Sequence, residues 1–137
     1  MAGQPSAAAS ARIIHLALLS GVVLASGGLL AVRATGRTGL APAPPALLPA
    51  LIVVALTTVT AALFLKARIP ARGSGTSDDA WWAANLRRAI PVWALLESAA
   101  LAGAVFYFIG VGQAGLIVAA AALALLVANG PGRLIDR

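Results

Sequence analysis

The chain has no cysteine, one histidine and four acidic residues in 137 positions. Without cysteine there are no disulfides, thiolate metal sites or cysteine nucleophiles. One imidazole and four carboxylates are too few ligands for a dedicated metal cage, so no metal and no cofactor is expected. Charge of either sign is scarce: 10% of the residues are charged, against about 25% in an average soluble domain. Catalytic patterns are missing as well. His15 has no acid near it in sequence, and no carboxylate pair lies within an apolar run. Gly73-Ser74-Gly75-Thr76-Ser77 has the composition of a linker and follows no strand, so it is not a phosphate-binding loop. No catalytic residue is assigned, and an enzyme is not expected.

Apolar residues are abundant. They make up 61% of the chain, mean hydropathy is +0.95, and a soluble domain averages about 45–50% apolar. The expected environment is a lipid bilayer. The net charge of +6 does not point to nucleic acid, because the basic residues stand at the ends of apolar runs. There they act as orientation signals and contacts for anionic headgroups.

Four runs are long enough to matter. Residues 1–11 are small and polar and read as a flexible tail. Residues 13–32 form an uncharged run apart from His15, closed by Arg12 and Arg33. At ~1.5 Å per residue it spans roughly 30 Å, the thickness of the hydrocarbon core. A cleaved signal peptide is the competing reading, but such cores run about 7–15 residues. A Gly-, Thr- and Pro-rich connector over 34–45 leads to a second span at 46–65. The stretch 66–80 is a polar linker leading into the third helix, where Ser77 is placed as N-cap ahead of Asp78 and Asp79. The third span covers 89–109, with Pro91 expected to kink it. A glycine-rich turn at 110–115 precedes the last span, 116–128, which stops at Asn129-Gly130-Pro131-Gly132. The fold class expected is all-α: an integral membrane four-helix bundle of two tandem transmembrane hairpins, 12–137 forming one domain.

Topology follows from charge. With four spans, Arg12, Lys66, Arg68, Arg72, Arg87, Arg88, Arg133 and Arg137 fall on one side, and only Arg33 and Arg37 on the other. The positive-inside rule puts both termini in the cytoplasm. Trp81, Trp82, Trp93, Arg87 and Arg88 read as anchors at the membrane interface. An internal repeat is also visible. Residues 17–27 align with 94–104 at an offset of 77, five of 11 positions being identical, although any two Ala/Leu-rich helices align somewhere.

Glu97 is the only carboxylate between Ala89 and Pro131. A charged acid in hydrocarbon costs about 2.5–3.5 kcal/mol on insertion scales, so it needs an internal partner or a task. It lies roughly 10 Å along its span at ~1.5 Å per residue. At that depth the other spans offer Ser20, Thr57, Thr58 and Thr60, with His15 a turn nearer the cytoplasm. The candidate polar site is this set around Glu97. Three roles stay open for it: fixing helix register, binding a proton or ion, and contacting another subunit or a hydrophobic ligand such as lipid. Gly21/Ala25, Ser98/Ala102 and Ala99/Gly103 have the small-xxx-small spacing that lets helices approach closely.

Residues 88–101, Arg-Ala-Ile-Pro-Val-Trp-Ala-Leu-Leu-Glu-Ser-Ala-Ala-Leu, resemble a group of uncharacterised small bacterial membrane proteins. These have four predicted spans, an Ala-Leu-Leu-Glu turn in the third and a related turn without the acid in the first. The resemblance implies a multi-pass protein of the bacterial inner membrane and no particular activity. The chain is also similar, more distantly, to the duplicated proteolipid hairpins of rotary ATPases. That family carries its acid on the second helix of a hairpin and has a polar Arg-Gln-Pro type loop. Here Glu97 is on the first helix and the loop is Gly-Val-Gly-Gln-Ala-Gly, so only Glu97 carries over, as an ion-binding candidate. The function expected is that of a non-catalytic accessory or scaffold subunit, packing against itself or a larger membrane complex.

Overall fold

A computed structural model of the chain describes residues 5–36 and 43–136. Arg37, Arg137, residues 1–4 of the expected tail and residues 37–42 of the connector lie outside the described residues. Within them the chain is all-α: α1 (Ala7–Ala34), α2 (Leu47–Ala67), α3 (Asp78–Phe106), a π-helical turn (Tyr107–Val111), α4 (Gln113–Ala128) and α5 (Pro131–Ile135). α1, α2 and α3 with its π-turn are each long and apolar enough to cross a membrane, and α4 is a shorter apolar helix.

Local chemistry accounts for the boundaries. α1 begins at Ala7, inside the segment 1–11 that reads as a tail. Ala7-Ala8-Ala9 has the highest helix propensity available, and the Ser6 hydroxyl accepts from the Ala9 amide at 3.2 Å. A second cap comes from a distant residue, because the Asp79 carboxylate accepts from the Ala8 amide at 3.0 Å. Ser77 caps α3 as its position suggests, accepting from the Ala80 amide at 3.2 Å. α3 continues through Pro91 and ends at Phe106, short of the expected Ile109. The π-turn then reverses the chain through Gly110 (φ +104°) and Gly112 (φ +83°), backbone conformations that a Cβ disfavours. α5 was not expected. Pro131 opens its first turn, where a missing amide costs nothing, and Leu134 and Ile135 are buried.

α3 is the hub. α1, α2 and α4 each pack along it, while α1 and α2 barely touch each other. α1 runs parallel to α3, since Ala8 meets Asp79 at one end and Arg33 meets Phe108 at the other. α2 and α4 run antiparallel to it, as the contacts Trp81–Pro70 and Trp93–Asn129 require. Of the two expected tandem hairpins, α3 and α4 pack closely, whereas α1 and α2 each pack on α3 rather than on each other.

The reason lies in side-chain size. A Cβ at Gly103 would stand 2.4 Å from the Ala119 amide nitrogen, and one at Gly115 would stand 2.5 Å from that of Tyr107. Two glycines thus let the α3 and α4 backbones touch. At the aligned positions α1 carries Val22 and Ser26 in place of Ala99 and Gly103, and α2 has no glycine to answer Gly115. The aligned segments do not produce equivalent packing.

The core clusters around the first half of α3, with Trp82, Val92, Trp93 and Leu96 against Val22, Leu126 and Leu134. The outer faces are apolar. Leu24 is 76% exposed, Leu56 64% and Ile117 67%. Helices apolar around their whole circumference suit a solvent that is itself apolar.

Candidate functional site

Glu97 faces α1, and the expected ring of hydroxyls does not form around it. Its side chain is half-buried, and its Oε1 lies 3.7 Å from where a Gly21 Cβ would be. Among the described residues it has no hydrogen bond and no ion pair. Ser20, which precedes Gly21, is exposed beside Leu19, Val23 and Leu24. Thr57 and Thr60 line an outer cleft of α2 with Leu56, Ala61 and Phe64. Thr58 turns its hydroxyl back onto the Val54 carbonyl at 2.7 Å. Such back-bonding satisfies a hydroxyl within its own helix, and so threonines at matching depth need not meet the acid.

His15 belongs to a different cluster. Its Nε2 lies 3.1 Å from the Leu126 carbonyl, and a carbonyl only accepts, so Nε2 carries a proton. Its ring meets Trp93 edge-on, with centroids 5.1 Å apart. Trp93 Nε1 donates to the Asn129 carbonyl at 2.7 Å, and Asn129 Nδ2 donates to the Leu125 carbonyl at 2.7 Å. The Leu125 and Leu126 carbonyls also accept from the Asn129 backbone amide, at 3.0 and 3.3 Å, so the side chains add second donors at the end of α4. Asn129 Oδ1 is buried with no partner.

The three tryptophans expected as interface anchors are buried within the chain. Trp81, Trp82 and Trp93 are 4%, 1% and 0% exposed and lie in series, Trp81 edge-on to Trp82 at 4.9 Å between centroids and Trp82 tilted against Trp93 at 5.7 Å. Trp81 Nε1 donates to the Pro70 carbonyl at 3.2 Å, and Asn85 Nδ2 to the Trp81 carbonyl at 2.9 Å. An indole buries a large apolar area once its single N–H is satisfied, and backbone carbonyls from the linker and from the end of α4 provide that. Arg87 and Arg88 are exposed.

The predicted packing residues divide between two surfaces. Ala99 and Gly103 are buried, and Gly103 lies in the chain's own α3–α4 contact. Gly21, Ala25 and Ser98 are exposed, and Ala102 is half-buried. The Ser98 hydroxyl bonds to the Ala94 carbonyl at 2.7 Å.

At the opposite end Arg33 Nη1 donates to the Phe108 carbonyl at 2.6 Å, and the guanidinium lies 5.1 Å from the Tyr107 ring centroid. Here a cation serves the π-turn, whose altered register frees carbonyls. At the termini end, Arg72 pairs with Asp78 and approaches Asp136 at 3.9 Å, joining the linker, α3 and the residue after α5. Asp79, outside the apolar part of α3, has its carboxyl held below the ordinary aspartate range. The Ala8 amide is the main cause, followed by the Ser6 hydroxyl. Asn129, Gly115 and the Asp79–Ala8 bond had sequence signals only as a stop, a turn and a cap of α3's own dipole.

The described residues contain no group of three or more His, Cys, Asp or Glu able to hold a metal. No protein-family model, curated protein or solved structure matches the chain.

Proposed function

We propose that this is a small non-catalytic protein of the bacterial inner membrane, crossing it four times with both termini in the cytoplasm. It acts as an accessory or scaffold subunit that binds other membrane helices. One observation carries the reading. α1 packs on α3 along one side only and leaves Ala17, Gly21, Ala25 and Gly28 exposed on a shared face, with the Glu97 carboxyl beside Gly21. Without a hydrophobic driving force between helices in lipid, such small-residue faces supply association through close backbone approach.

The test uses the fact that a Cβ at Gly28 would meet nothing within 4 Å, so a leucine there leaves the chain's own packing intact. Differently tagged copies and co-purifying membrane proteins are to be captured in mild detergent. Gly28→Leu is expected to keep the fold and lose the associated species, while Glu97→Gln retains them. A wild-type chain that remains a lone monomer under these conditions would sink the proposal.

A proton- or ion-linked role for Glu97 is the second reading, favoured by its lack of any hydrogen-bond or ion-pair partner among the described residues. It predicts the reverse pattern, with Glu97→Gln abolishing a phenotype that Gly28→Leu leaves unchanged.

A further inference from the structure

All four acids of the chain are engaged or face away from the cleft between α2 and α3. Asp78 pairs with Arg72, Asp136 lies 3.9 Å from the same arginine, Asp79 caps α1, and Glu97 faces Gly21 of α1. None of them neutralises Arg68 or Arg88, which line a cleft of about 370 Å³ with Leu65 and Pro91. Neither arginine has an ion-pair partner among the described residues. The Arg68 guanidinium is stacked 4.2 Å from the Phe64 ring centroid. Stacking fixes the plane of a guanidinium while leaving its N–H edge free for a bidentate acceptor. The cleft thus has two cations from two helices at its mouth and an apolar floor of Leu65 and Pro91.

We infer that this cleft seats the phosphate headgroup of an anionic phospholipid. Arg68 and Arg88 hold the phosphate, and an acyl chain lies along Leu65 and Pro91. Basic pockets between transmembrane helices at the cytoplasmic side suit this class of ligand, and the seat rests on the membrane reading given above. A protein partner would need its own acids at that depth, where charge is costly. A lipid brings the charge already at the right level.

Native mass spectrometry of the full chain, released from a neutral maltoside detergent, tests the seat. Dioleoyl-phosphatidylglycerol, dioleoyl-phosphatidylcholine and inorganic phosphate serve as separate probes. The wild type is expected to retain one phosphatidylglycerol in preference to phosphatidylcholine. Arg68→Gln/Arg88→Gln should weaken that retention by about 30-fold, from two basic groups near a headgroup surface. Arg12→Gln/Arg133→Gln removes equal charge from the same end and should retain the lipid. Equal loss in both double variants, or no preference between the two lipids, would overturn the seat. So would phosphate displacing the lipid, which would mark a site for free anions. Alkaline extraction of the host membranes separates the two claims. A chain released into the supernatant sinks the membrane reading together with the seat, whereas an integral chain without lipid preference sinks the seat alone.

Discussion

The two halves of α3 join their neighbours by opposite means. In the first half, large rings fill the space: Trp81, Trp82 and Trp93 are buried, and the two bonded indole N–H groups reach backbone carbonyls. In the second half side chains are withdrawn, and Gly103 and Tyr107 meet Gly115 and Ala119 with backbones in contact. Burying a ring is favourable wherever its apolar area would otherwise meet water. Between helices in apolar surroundings that gain vanishes, and dense van der Waals contact replaces it. Glu97 sits between the two regimes, beyond the tryptophans and before the glycines, and has neither ring nor glycine of α4 against it.

The largest expected effect strikes the glycine half. Gly115→Leu would set a Cβ 2.5 Å from the Tyr107 amide nitrogen, against backbone that cannot rotate away. The penalty should exceed the ~1–3 kcal/mol of ordinary overpacking. Thermal unfolding by circular dichroism in detergent should show the folded state lost. A stable Gly115→Leu chain would mean that the two halves do not differ as argued.

A smaller effect is expected in the aromatic half. Trp93→Ala should cost about 3–5 kcal/mol through the cavity it leaves. Trp93→Phe keeps most of the volume but leaves the Asn129 carbonyl without its donor, at about 1–3 kcal/mol. If the two variants unfold at the same temperature, the hydrogen bond rather than ring volume holds this end together.

The smallest effect concerns Asp79. Its folded carboxyl titrates below the ordinary range, so the stabilisation is present above the unfolded pKa and lost as pH falls through the folded one. The unfolded value is about 3.9, so melting temperature should decline from about pH 5 downward. Asp79→Asn should flatten that decline while leaving the slope near neutrality unchanged. An identical acid profile in the variant would remove Asp79 from the account of how α1 begins.

Much of the architecture was legible in the chain as written. The helix bounds of α2 and α4 fall within a few residues of the expected spans, because apolar runs bounded by Pro, Gly, Lys and Arg terminate locally. Ser77 was legible as a cap for the same reason. The polar site was not. Depth counting gathered Ser20, Thr57, Thr58 and Thr60 around Glu97, yet depth fixes only one of the two coordinates needed. The other, rotation about each helix axis, cannot be read from α2, which is apolar around its circumference and shows no preferred face. That is why Thr57 and Thr60 point outward and His15 joins α4.

Sequence by itself therefore determined composition class, helix lengths and end chemistry, since these depend on interactions within a few residues. Only the tertiary structure decided that α3 is central, that the tryptophans are buried and that Glu97 faces Gly21. Those outcomes depend on which backbones can touch, and the Gly103–Gly115 approach brings together residues whose fit no linear pattern encodes.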